Sequence, residues 1–270
     1  MLNSKRIGFI GGGAMAEAII TGLLNSGLGK SANIMVSDIS HSRLEYLSKK
    51  FSITTAYDNQ QIAEQSEILF LAVKPQVLDS VITPLKSAVS QSTLVLSIAA
   101  GVSIAKLEKY LPSIPIIRVM PNTPLAVGEG MSAISLGKHA STADGEVAMQ
   151  IFSASGKAVV VDESLLDAVT GLSGSGPGYG FVIIDALADA GVKVGLSRQA
   201  AIMLAAQTLL GTAKMVLETG EHPAKLRDMV ASPAGTTISG IHVLEQRGVR
   251  AALIDAVIAA SERSAEMGKR

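Results

Sequence analysis

The 270-residue chain has no cysteine and no tryptophan, and only 3% of its residues are aromatic. Without cysteine there can be no disulfide framework, no thiolate-bound zinc or iron–sulfur site and no cysteine nucleophile. A charge surplus is missing too, because 23 Lys and Arg balance 23 Asp and Glu. Gripping a nucleic-acid backbone by counterion release takes a basic excess or stripe, so no nucleic-acid partner is expected. Long apolar runs are also absent: stretches such as 94–102 fall below the ~18 consecutive apolar residues of a membrane span. Between Lys5-Arg6 and Gly11-Gly12-Gly13 there are too few apolar residues for a signal h-region. A cytoplasmic protein with no membrane partner is expected. Apolar residues are nevertheless plentiful, at 48% hydrophobic against 17% charged and a mean hydropathy of +0.39. Part of that load is expected in a subunit interface.

Residues 5–161 alternate short β-branched runs with amphipathic stretches, the signature of a parallel α/β sheet. Strands are expected at 6–10, 34–38, 68–73, 94–98, 116–120, 132–135 and 158–161, several of them apolar throughout, as strands covered on both faces should be. Helices are expected at 14–26, 42–50, 76–89 and 103–110. Beyond residue 162 no alternating strand appears. Helical periodicity there predicts segments at 164–172, 179–192, 198–217, 224–230, 237–246 and 250–267, separated by glycine and proline. Residues 200–210 would be apolar all round as a helix, which points to burial between subunits.

Gly11-x-Gly13-x-x-Ala16 follows the first strand and opens the first helix, the context that a dinucleotide fingerprint requires. Gly11 would make the tight turn, Gly13 would let a pyrophosphate approach, and Ala16 would fit where helix meets strand. The helix start offers N–H groups and a positive dipole end to the phosphates. Read without a ligand, the same run is a glycine-rich turn. The fold class expected is therefore α/β, with an N-terminal Rossmann-like parallel-sheet domain over 1–161 and an all-helical dimerisation domain over 162–270. Asp38 ends the second strand, where a carboxylate accepts the adenosine ribose 2′-OH and repels a 2′-phosphate. Ser40, His41 and Arg43 follow at once and could meet that phosphate, although Arg43 also suits a solvated helix face. The cofactor is left as NADP(H) or NAD(H), with no metal.

Five segments together resemble the pyrroline-5-carboxylate reductase family nearly end to end. They are Gly8-Phe9-Ile10-Gly11-Gly12-Gly13-Ala14-Met15-Ala16, Leu71-Ala72-Val73-Lys74-Pro75-Gln76, Arg118-Val119-Met120-Pro121-Asn122-Thr123-Pro124, Leu172-Ser173-Gly174-Ser175-Gly176-Pro177 and, most specific, Ser232-Pro233-Ala234-Gly235-Thr236-Thr237-Ile238. The resemblance implies an NAD(P)H-dependent reduction of L-1-pyrroline-5-carboxylate to L-proline, the last step of proline biosynthesis. Ile10, Gly11, Gly12, Gly13, Ala14 and Met15 are expected to meet the dinucleotide, with Asp38 at the ribose 2′-OH and Ser40 beside a 2′-phosphate, and by the same resemblance Asn59 reaches the adenosine ribose. Ala72, Val73, Lys74 and Pro75 line the ribose and nicotinamide side, Ala99 and Ala100 flank the ring, and Asn122 belongs to the site wall. Ser232, Gly235, Thr236 and Thr237 bind the substrate carboxylate, with the Thr237 hydroxyl at the ring nitrogen as the one catalytic group.

Each piece has a plainer reading as well. Lys74 could be a surface charge beside a turn-forming Pro75, residues 120–124 a rigid double-proline loop, and Thr236 or Thr237 a helix N-cap. The chain departs from the family pattern at Ala234, where a second glycine is common, at Gly178 and Gly180, which replace alanine and valine, and at Asp38, where a hydroxyl is often found.

A protonated imine is already electrophilic, so holding the ring and excluding water is most of the work. That agrees with the lack of a His/Asp pair: His41, His139 and His222 sit in polar segments, and His242, one turn past Thr237, reads as structural. The 3-hydroxyacid dehydrogenases share the two-domain plan but need a lysine after a similar glycine run, where this chain has Gly180 and Ile183 or Ile184. A nucleotide sensor that had lost its chemistry would show a damaged 232–237 loop, and this one is intact. The apolar helical half predicts a homodimer or a higher oligomer of dimers, with 232–237 contributed across the interface.

Overall fold

The computed structural model describes residues 2–268. Its first half alternates β1 (Ile7–Ile10), α1 (Ala14–Asn25), β2 (Ile34–Ser37), α2 (His41–Phe51), β3 (Thr54–Ala56), α3 (Asn59–Gln65) and β4 (Ile68–Leu71). It continues through α4 (Leu78–Ile82), β5 (Leu94–Ser97), α5 (Ile104–Tyr110), β6 (Ile116–Met120), β7 (Gly130–Leu136), α6 (Thr142–Ser153) and β8 (Gly156–Val160). The strands form one sheet in the order β3-β2-β1-β4-β5-β6-β7-β8. The chain winds outward from β1 to β3, then crosses back to place β4 beside β1, so a topological switch point lies between those two strands. In open α/β sheets ligands bind outside the carboxyl ends of the strands at such a point.

β1, β2, β4 and β5 are buried along their whole length. One face packs Ile7, Phe9 and Phe70 against Ile20 and Leu23 of α1, Leu44 and Leu47 of α2 and Phe152 of α6. Phe9 and Phe70 stack with centroids 4.4 Å apart, and Phe152 meets Phe70 edge-on. The other face packs Ile10, Leu69 and Leu71 against Ile62 of α3, Ile82 of α4 and Leu107 of α5.

The fully parallel sheet expected from the pattern is corrected at one edge. β7 runs antiparallel to β6, and β8 is parallel to β7. The link between β6 and β7 holds no crossover helix, and a short connection of that kind joins antiparallel neighbours. Three elements also go beyond the periodicity: β3 is only three residues long, α3 is seven, and α6 begins on a capping box of Ser141 and Asp144. The helix expected over 76–89 is broken into 3-10 turns around α4, because Pro84 lacks the N–H that a continuous helix needs.

The later elements are α7 (Leu166–Val169), a π-turn at Thr170–Gly174, α8 (Gly176–Lys193), α9 (Arg198–Thr219), α10 (Pro223–Met229), α11 (Thr236–Gln246) and α12 (Val249–Gly268). Contacts divide the chain into two units, one reaching to Gly174 and resuming at Ala260, the other Ser175–Ala259. Within the second unit α8 and α9 pack so closely that a Cβ on Gly191 would lie 2.9 Å from that of Ala201. Only Ala188, Ala201 and Ala205 are buried among its residues, while Phe181, Ile202, Met203, Leu204 and Ile254 are exposed. α9 is also long and apolar enough to cross a membrane by length and composition, with a mean hydropathy of 1.5.

Candidate active site

The glycine run after β1 is shaped by its neighbours. Gly11 has φ +97°, donates its N–H to Ser37 O at 2.8 Å, and lies so close to the chain after β4 that a Cβ would sit 2.6 Å from Ala72 O. Only glycine tolerates both the dihedral and the contact. Gly13 is different: it is the N-cap of α1, no side chain caps the helix, and a Cβ on it would have no atom within 4 Å. The protein's own packing does not require this glycine. The first N–H groups of α1, at Ala14, Met15 and Ala16, have no intrahelical acceptor, an arrangement that suits an anion.

In front of this helix start lies a hollow of about 350 Å³, lined by Gly13, Ala14, Met15, Ala72, Val73, Lys74, Ile98, Ala100, Met120 and Pro121. The lining comes from the segments that follow β1, β4, β5 and β6, at the switch point. A larger hollow of about 530 Å³ follows β8. β7 and β8 run against the other strands, so it does not share the edge where the glycine loop emerges.

The remaining expected residues are arranged around the hollow rather than in it. Ile10 and Ala99 are buried in the sheet core, and Gly11 and Gly12 lie buried under the loop. Asp38 accepts N–H groups from Gly12 at 2.8 Å and Ser40 at 2.9 Å. The Ser40 hydroxyl caps α2 by accepting from Arg43 N. Asn59 opens α3 behind the Asp58 cap, and Pro75 begins a 3-10 turn beside exposed Lys74. Asn122 is 9% exposed and its amide is used internally, donating to Ser173 O at 3.0 Å and accepting from Met131 N at 2.8 Å. Arg43 is not the solvated side chain its neighbours in sequence suggest, since it bonds to the carbonyls of Gly12 and Gly13 and to Glu17. Ile98 lines the hollow although no motif marks it, and its place just beyond β5 is the one signal for it.

The 232–237 segment turns sharply, with Gly235 N donating to Ser232 O at 3.0 Å. Ala234 occupies the left-handed region at φ +58°. That conformation costs a non-glycine residue roughly 1–2 kcal/mol, which explains why glycine suits the position. A Cβ on Gly235 would sit 2.3 Å from the Ser232 hydroxyl, so the missing side chain is what lets Ser232 fold over the helix start. The expectation of a threonine cap is corrected. Gly235 is the N-cap, no side chain closes α11, and Thr236 and Thr237 are its first two helical residues, both exposed. The backbone N–H groups at this end stay open for an anion.

A family model described as "Pyrroline-5-carboxylate reductase dimerisation" matches residues 163–267, and one described as "NADP oxidoreductase coenzyme F420-dependent" matches residues 6–101. A pyrroline-5-carboxylate reductase of Methanosarcina acetivorans is 51% identical over 100% of both chains. The chain belongs to the pyrroline-5-carboxylate reductase family. A solved reductase of this family from Coxiella burnetii superposes with a TM-score of 0.92 at 37% identity, covering 98% of this chain and 99% of that one. The family's enzyme from Plasmodium falciparum, solved with NADP bound, gives 0.89 at 33% identity over 99% and 100% of the two chains. As a member of this family the chain is an oxidoreductase that uses a nicotinamide cofactor.

The open space at Gly13 yields a direct prediction. Gly13→Val should keep the thermal midpoint within a few degrees of the wild type, yet weaken NADH and NADPH binding more than tenfold in a fluorescence titration. Unchanged affinity would show that no dinucleotide lies along this helix start.

Proposed function

We infer that the chain reduces L-1-pyrroline-5-carboxylate to L-proline, the last step of proline biosynthesis. The observation that carries this reading is an α11 helix start left open by Gly235, with Ser232 folded over it, in a chain of this family. When bound, the reduced nicotinamide supplies the hydride that reaches the imine carbon. N–H groups of Gly13, Ala14 and Met15 hold the pyrophosphate, with Ile10, Gly11 and Gly12 contributing main chain beneath it. Ala72, Val73, Lys74, Pro75, Ala99 and Ala100 border the nicotinamide side, and Asn122 braces the wall there. Asp38, Ser40 and Asn59 meet the adenosine ribose. The Asp38 carboxylate disfavours a 2′-phosphate by charge, but its two N–H partners offset part of that charge, so both NADH and NADPH serve.

Substrate binding uses backbone more than side chains. The N–H groups at the start of α11, together with the hydroxyls of Ser232 and Thr236, hold the carboxylate of the cyclic imine, and Gly235 lets it come close. The Thr237 hydroxyl hydrogen-bonds the ring nitrogen, orienting a protonated C=N bond that is electrophilic enough to need no further acid. Hydride addition to the carbon leaves the electron pair on nitrogen, which takes up a proton from water.

Residues 1–161 are assigned the cofactor and 162–270 the substrate and the contacts between subunits. The protein self-associates through its dimerisation region, and we assign a homodimer, open to assembly into larger oligomers, working in the cytoplasm. A unit that buries only three alanines leaves its leucines, isoleucines and Phe181 for a second copy to cover. Such a dimer remains in solution without detergent, and light scattering should report twice the chain mass or a multiple of it. A monomer, or a chain recovered only with membranes, would contradict this.

The reaction is tested by initial rates with pyrroline-5-carboxylate. Thr237→Ala should lower kcat by about 10²-fold, and Ser232→Ala should raise KM for the imine by roughly tenfold, the loss of one charge-assisted hydrogen bond, while NADPH affinity holds in both. Nucleotide binding with no turnover on this substrate in the wild type would overturn the assignment.

A further inference from the structure

The glycine loop is held from behind by a network reaching from α1 to α2. Arg43, three residues into α2, donates from Nε to Gly12 O, from Nη2 to Gly13 O at 3.3 Å, and from Nη2 to the Glu17 carboxylate. Glu17, on the first turn of α1, also accepts from Tyr46 Oη at 2.8 Å and Lys50 Nζ at 2.7 Å. The guanidinium lies over the Tyr46 ring at 5.0 Å from its centroid. Side-chain exposure is 24% for Arg43 and 19% for Glu17, so this pair is screened far less than an ordinary surface salt bridge. Partial burial pushes the Glu17 carboxyl up, but the hydrogen bonds from Lys50, Arg43 and Tyr46 outweigh it and hold the group down to about 2.

The direction of these bonds matters more than their number. In a planar trans peptide the carbonyl of one residue and the N–H of the next point in opposite directions. Drawing the Gly12 carbonyl toward Arg43 therefore turns the Gly13 N–H away from it, and the Gly13 carbonyl, which already accepts from Glu17 N at 3.0 Å in the helix, is held the same way by Arg43 and turns the Ala14 N–H outward. The Gly12 N–H is taken by Asp38 and so is not offered to a ligand. A guanidinium is a rigid fork that can hold two carbonyls and a carboxylate in one geometry, which a lysine ammonium cannot.

We propose that Arg43, anchored by Glu17, is the positioning residue of the dinucleotide site: it fixes the Gly12 and Gly13 peptides so that the N–H groups of Gly13 and Ala14 face the pyrophosphate. This rests on the reading that the dinucleotide lies along the glycine loop. Because its Nε and Nη2 donors are spent on the loop and on Glu17, the main effect of Arg43 falls on NADH and NADPH alike.

The test is calorimetric or fluorescence titration of the full-length protein with NADH and with NADPH, alongside steady-state kinetics. Arg43→Gln should weaken both nucleotides about tenfold and by the same factor, raising cofactor KM more than it lowers kcat, and Arg43→Lys should recover only part of the loss. Glu17→Gln should weaken both less, and the double variant should lose less than the two single losses multiplied together. Loss confined to NADPH would make Arg43 a phosphate ligand, and affinities that stay put while only the melting temperature falls would make the network purely structural; either overturns the proposal. Gly13→Val separates the two levels. If it weakens binding while Arg43→Gln leaves both affinities unchanged, the clasp alone is wrong; if it leaves binding intact, the dinucleotide reading fails and the proposal with it.

Discussion

A helix that starts without a side-chain cap keeps backbone donors that must find an acceptor outside the helix. Ser40, Asp58, Ser103, Ser141, Ser197 and His222 close the starts of α2, α3, α5, α6, α9 and α10. α1 and α11 begin instead on Gly13 and Gly235, with nothing to close them. Both glycines leave room by lacking a Cβ, at Gly13 as open space and at Gly235 as the place where the Ser232 hydroxyl sits. One open end suits a diphosphate and the other a carboxylate. These are the anionic handles of the two molecules that a dinucleotide-dependent reduction of a carboxylated imine brings together. Gripping a substrate by a part that does not react is how binding energy is turned into alignment at the atoms that do.

This reliance on main chain accounts for what the side chains do not do. All four histidines are exposed, and His222 serves as a helix cap. Among the described residues no cluster of His, Asp and Glu is built to hold a metal ion. The polar side chains nearest the glycine loop are spent on holding it, Asp38 taking the Gly12 N–H and Arg43 two carbonyls, while Asn122 is spent on tying the end of β6 to Ser173. Chemistry that needs only a hydride and an already polarised C=N bond permits such a site.

Where residue type alone dictates local geometry, the sequence was readable. Apolar runs marked β1, β2, β4, β5 and β6 because buried parallel strands need no polar alternation, and the Gly11 to Ala16 spacing marked the loop because only glycine fits beside Ala72. The six later helical segments were readable from their glycine and proline breaks. What escaped depended on tertiary context. β3 is too short to show a period, and the reversal at β7 follows from the length of one connection. Ile98 enters the hollow only because β5 ends there. Arg43 looked like a surface residue because nothing in its own neighbourhood shows that α2 lies across the glycine carbonyls. The cap at α11 shifted to Gly235 because the left-handed Ala234 starts the helix one residue earlier than the hydroxyl pattern suggests.

The central claim is that a hydride passes from the nicotinamide to the ring carbon of a cyclic imine held by its carboxylate. Incubating the protein with pyrroline-5-carboxylate and NADH or NADPH carrying deuterium at C4 of the nicotinamide, then analysing the product by mass spectrometry and NMR, tests this most directly. The account predicts L-proline with a single deuterium at C5, transferred from one face of the nicotinamide only. Proline without label at C5, or oxidation of the nucleotide with no proline formed, would contradict it.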